Sequence, residues 1–100
     1  MGEALRPSSV RVLGIEIEIR YVREVGEDCM GSFCPEKLEI LIQDDLPAEN
    51  QRLVLWHEIC HVIEVLGEIR ISEAGICLYS TAWIQIMRDN RELAIWSFGG

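Results

Sequence analysis

Apolar and polar residues alternate through the first part of the chain. Ile15, Ile17, Ile19 and Tyr21 fall on one side of the segment from Val10 to Val25, with Glu16, Glu18 and Arg20 on the other. A period of two predicts a strand with one buried face, here a long strand over 10–25 bent at Gly14. Gly26, Glu27 and Asp28 read as a turn, Met30 to Phe33 as a short strand, and Pro35-Glu36-Lys37 as a second turn. In the third strand, Leu38 to Gln43, Leu38, Ile40 and Ile42 alternate with Glu39 and Leu41. Residues 10–43 are thus expected to form a three-stranded antiparallel sheet, preceded by a loosely held arm over 1–9.

The period then changes. Asp44, Asp45 and Pro47 are acidic and proline start signals for a helix over 48–66, and Gly67 is its expected C-terminal stop. Leu53, Val54, Leu55, Trp56, Ile59, Val62, Ile63, Val65 and Leu66 surround this helix with apolar surface, which predicts burial on every side. Ser72 is an N-cap candidate for a second helix over 73–89 that carries Ile76, Leu78, Tyr79, Trp83, Ile84, Ile86 and Met87. The tail, 91–100, holds Leu93, Ile95, Trp96 and Phe98 and is too apolar to stand free in water. It is expected to pack on the body or to offer a surface for homo- or hetero-oligomerisation.

Composition narrows the class. The chain has 100 residues, 49% of them apolar, which suits one globular α+β domain with a single core. Seventeen acids against nine bases give a net charge of −8, which opposes nucleic acids and anionic membranes as partners. No apolar run reaches the roughly 18 residues of a spanning helix, and Met1 to Ser9 lacks a signal-peptide pattern, so a cytoplasmic location is expected. The four cysteines (Cys29, Cys34, Cys60, Cys77) are then expected to be reduced. Cys29 and Cys34 lack the downstream pair that a zinc knuckle needs.

The chemistry is concentrated in His57-Glu58-Ile59-Cys60-His61. On a helix, histidines four apart lie one turn above each other and can share one metal ion. Glu58, roughly 100° around the helix, cannot join them as a ligand but can reach a water on the metal, as a general base must. Zinc suits this donor set. A structural role for paired core histidines is the competing reading. Against it, both of the chain's histidines fall inside the motif, amid apolar neighbours where unpartnered imidazoles would be costly to bury.

A catalytic zinc site needs a third protein ligand. Glu64 and Glu68 share the face of the histidines, but Glu64 lies about 10 Å along the axis from His57 at 1.5 Å per residue. Glu73, which a short helix return brings back toward the first helix, is the preferred ligand, and Cys77, one turn on, is its rival. As an acid in a first turn, Glu73 is also explicable by the helix dipole alone, and Cys77 as a buried structural thiol.

The segment LVLWHEICHVIEVLG, followed by ISEAGICLYSTAWIQIMRDNREL, resembles the small phage and prophage-type metallopeptidases related to the ImmA/IrrE gluzincins. The piece from Met30-Gly31-Ser32-Phe33 to Ile42 is similar to their hairpin, so the resemblance covers most of the chain. It implies a minimal zincin-like fold with one zinc ion held by His57, His61 and Glu73, and with Glu58 as the base. The chain departs from that pattern at Cys77, where family members often carry an acid able to orient a metal-bound histidine. No helix is expected ahead of the sheet, where larger zincins carry one, and the cleft is therefore expected to be shallow.

The expected activity is hydrolysis of a peptide bond, on a peptide or protein substrate that adds to the sheet edge near Met30 to Phe33. Tyr21, Tyr79 and Arg88 are the candidates for stabilising the oxyanion. Two other classes fit the same residues: a non-catalytic, zinc-stabilised interaction module that binds through Trp96 and Phe98, and a hydrolase of a non-peptide amide.

Overall fold

Leu13 and Gly14 both adopt left-handed backbone, with φ of 49° and 83°, and turn the chain back on itself. A two-residue loop with both φ values positive suits a tight hairpin, and glycine takes such a conformation without steric cost. The expected long, bent strand is therefore two strands, β1 (Ser9–Val12) and β2 (Ile15–Val22), paired antiparallel with Val12 opposite Ile15. The computed structural model describes residues 6–99, so most of the arm expected over 1–9 lies outside the described residues.

β3 (Gly31–Cys34) and β4 (Glu39–Gln43) form a second hairpin, with Gly31 opposite Ile42. β4 also pairs with β2, in parallel, with Ile19 opposite Ile40. The sheet is thus four-stranded and mixed, in the order β1-β2-β4-β3, and not the three-stranded antiparallel sheet that the alternation suggested. Alternation reports which face of a strand is buried and carries no information on its neighbours. Here the 23–30 segment carries the chain past the place that β4 later fills, leaving β3 at the edge.

One face of the sheet supplies Val12, Ile17, Ile19, Ile40 and Ile42 to the core, and Ile59 and Val62 of helix α1 (Ala48–Gly67) close over it. Ile17, Ile40, Ile42 and Val62 have no accessible surface. Each such side chain stabilises the fold by about 1.5–3 kcal/mol through area removed from water. Helix α2 (Glu73–Asp89) packs beside α1, where Trp56 and Trp83 lie 5.8 Å apart between ring centroids. Burial of α1 on every side is not realised: Ile63 and Val65 are exposed.

The apolar tail forms a third helix, α3 (Arg91–Phe98), which sets Phe98 edge-on to Trp83 at 6.4 Å and leaves Trp96 81% exposed. Gly67 is the last residue of α1, and the left-handed cap falls one position later, on Glu68 (φ 53°). Its N–H reaches the carbonyls of Glu64 and Val65. Among the described residues no helix is long and apolar enough to cross a membrane.

Candidate metal centre

The register of α1 that sends Ile59 and Val62 into the sheet turns His57, Glu58 and His61 toward the side where β3 and α2 approach. The two imidazole rings lie one turn apart and meet edge-on, 5.0 Å between centroids with their planes inclined at 63°. Opposite them α2 begins at Ser72, whose hydroxyl accepts the N–H of Gly75 at 3.0 Å and so fixes where the first helical residue, Glu73, enters. Glu73 Oε1 lies 2.8 Å from His57 Nε2 and 3.7 Å from His61 Nε2. Donor atoms around a tetrahedral zinc ion, each about 2.0–2.2 Å from it, stand about 3.4 Å from one another. The His57–Glu73 and His61–Glu73 separations fall on either side of that spacing.

Each ring has a second partner. Glu64, buried apart from a minor part of its side chain, places Oε1 2.8 Å from His61 Nδ1 and accepts the N–H of Ile71 on Oε2 at 2.8 Å. The bond from Ile71, then that from His61, holds the Glu64 carboxyl below the ordinary carboxylate range. A proton on Nδ1 leaves the lone pair of His61 on Nε2, facing Glu73. At His57 the partner of Nδ1 is the thiol of Cys77, at 3.9 Å. Cys77 therefore stands against the ring nitrogen that does not face Glu73. The donor atoms of His57, Glu73 and Cys77 still lie within 4.8 Å of one another, as do those of His57, Glu58 and His61.

Glu58 is 6% exposed and has no hydrogen-bond partner among the described residues. Burial pushes its carboxyl above the ordinary range; the neighbouring histidines oppose the shift and Glu73 adds to it. The residue opens into a groove beside β3. One section, of about 430 Å³, runs from Glu58 toward Met30, Leu53 and Thr81, and another, of about 400 Å³, toward Phe33, Pro35 and Val65. The two sections share Gly31, His57, Glu58 and Glu73.

Gln43 donates its N–H to the carbonyl of Met30 at 2.9 Å, and antiparallel alternation then turns the polar groups of Ser32 and Cys34 toward β4. The N–H and C=O of Gly31 and Phe33 face the open edge. Gly31 also permits close approach of β3 to α1, since a Cβ there would collide with Val54 Cγ1 and come within 3.3 Å of Glu58 Cγ.

The oxyanion candidates do not line this groove. Tyr21 donates its hydroxyl to the Pro7 carbonyl at 2.8 Å beneath the Arg6 guanidinium, Arg88 pairs with Glu49 at 3.4 Å, and the Tyr79 side chain is 64% exposed. Two contributors escaped the sequence reading. Glu64 was weighed there only as a ligand, although its spacing of three from His61 is the signal for a carboxylate that holds the ring. Gly31 gave no signal, because its role depends on a helix remote in sequence. Neither a protein-family model, nor a curated protein, nor a solved structure matches the chain.

Proposed function

We propose that this protein is a zinc-dependent peptide hydrolase in which His57, His61 and Glu73 hold one zinc ion and Glu58 is the general base. The observation that carries the reading is the convergence of two imidazole Nε2 atoms on one Glu73 oxygen, beside the carboxylate of Glu58, which has no hydrogen-bond partner among the described residues. When bound, the ion supplies Lewis acidity and lowers the pKa of its water to about 7. Glu58 accepts the proton of the attacking water and returns it to the leaving amine. Its raised affinity for protons suits it to both transfers. The outward backbone groups of Gly31 and Phe33 support an extended peptide laid along β3, which would carry a scissile bond past Glu58.

The exposure of Trp96, Ile95 and Phe98 on α3 favours a second reading, a zinc-stabilised interaction module without catalysis. One set of proteins separates the two. Metal analysis should find about one zinc per chain in the wild type and none in the His57→Ala, His61→Ala double variant. Glu58→Gln should retain zinc and lose cleavage of a peptide library, because an amide does not take up the water's proton at neutral pH. Equal and negligible zinc in wild type and double variant would sink the metal site. Zinc binding without cleavage by any variant, together with a lower Tm for His61→Ala, would favour the module.

A further inference from the structure

We infer that Glu64 is a positioning residue: its carboxylate fixes the tautomer of His61 and ties that ring to the connector that delivers Glu73. The inference rests on the metal reading above but stands on geometry of its own. Glu64 offers one oxygen to each of two partners, His61 Nδ1 and the N–H of Ile71, both at 2.8 Å. Ile71 precedes Ser72, the cap from which Glu73 projects. A single side chain thus joins the ring on α1 to the start of α2, the two pieces that must keep their separation for His61 Nε2 and Glu73 Oε1 to face one ion.

Only an ionised carboxylate meets both demands. It is acceptor-only, so His61 must carry its proton on Nδ1 and keep the Nε2 lone pair free. Glutamine has the same shape but one acceptor oxygen. If that oxygen takes the Ile71 N–H, the amide group turns donors toward Nδ1, which must then accept, and the proton moves to Nε2 where it blocks coordination. His57 has no such carboxylate, since the partner of its Nδ1 is the Cys77 thiol at 3.9 Å. The two histidines are therefore unequally held, and His61 is the one whose donor atom is set in advance.

The test uses metal-free protein labelled with ¹⁵N-histidine, the two rings being assigned with His57→Ala. In the wild type the nitrogen shifts should report His61 as the Nδ1–H tautomer, and in Glu64→Gln they should move toward Nε2–H. Zinc affinity, measured by competition with a chromogenic chelator, should fall 10–100-fold in Glu64→Gln, the usual effect of removing a ligand's orienting partner. Glu64→Ala should show the same loss, and the metal-free melting curves of both variants register any cost to the fold. The same His61 tautomer population in wild type and both variants would overturn the inference, whatever the zinc result. Absence of zinc binding by the wild type, with the tautomer still moved by Glu64→Gln, would instead overturn the metal reading and leave the positioning role supported.

Discussion

At Gly31 β3 packs against α1 with no room for a side chain, and adding one methyl group there tests whether that contact sets the groove. The new Cβ of Gly31→Ala would overlap Val54 Cγ1 and stand 3.3 Å from both Glu58 Cγ and the Leu41 carbonyl. Overpacking of this kind costs about 1–3 kcal/mol. Lost freedom of the unfolded chain returns about 0.4–1 kcal/mol, so a net loss of about 1–2 kcal/mol is expected. Val54→Ala alone removes two carbons from a half-buried side chain, at a cost of about 1 kcal/mol. In the double variant the alanine methyl at position 31 occupies the space that Val54 vacates. The sum of the single effects should then be undercut by about 1–2 kcal/mol, as contacting residues allow. For a domain of this size each kcal/mol moves Tm by about 4–8 °C, so thermal melts of the four proteins resolve the coupling. Strictly additive losses would refute the close approach of Gly31 to Val54.

Two further outcomes are expected. Glycine serves α1 poorly at its last helical position and would serve well one residue later, where Glu68 holds φ at 53°; the exchange Gly67→Ala with Glu68→Gly should stabilise by about 1–2 kcal/mol in urea unfolding, and a destabilised variant would contradict the cap described here. For Glu58, burial raises the folded-state pKa, so in metal-free protein its contribution to stability is intact below the ordinary value of 4.5 and is lost as pH rises through the raised one. Metal-free Glu58→Gln should therefore match wild type in Tm near pH 4 and exceed it toward pH 7, and a difference that stays constant with pH would be evidence against the desolvated carboxylate.

Much of the helical part was legible because its signals are local. Pro47 precedes the first residue of α1, Ser72 caps α2, and the spacing of His57 and His61 fixes their common face whatever surrounds them. The sheet was legible in its faces and not in its order: Ile17, Ile19, Ile40 and Ile42 point inward as alternation required, while the parallel pairing of β2 with β4 depends on contacts remote in sequence. Leu13 hid the first turn, since a leucine in left-handed backbone beside Gly14 does not look like a loop. At the site, Glu73 faces both histidines, but the guesses at Tyr21 and Arg88 failed because nothing in a lone tyrosine or arginine tells which end of the fold it occupies.

The parallel pairing of β2 with β4 has a kinetic consequence. Both hairpins close short loops, and the stretch from His57 to Glu73 is a helical hairpin of its own, so all three can assemble from nearby contacts. Joining β2 to β4 must bridge the whole of the 23–38 segment and brings together pieces that gain nothing until they meet. Docking of the two hairpins is thus expected to be the slow step of folding. The side chains of the candidate metal centre would then be gathered before the sheet is complete, and the groove along β3 would be the last part of the site to acquire its shape.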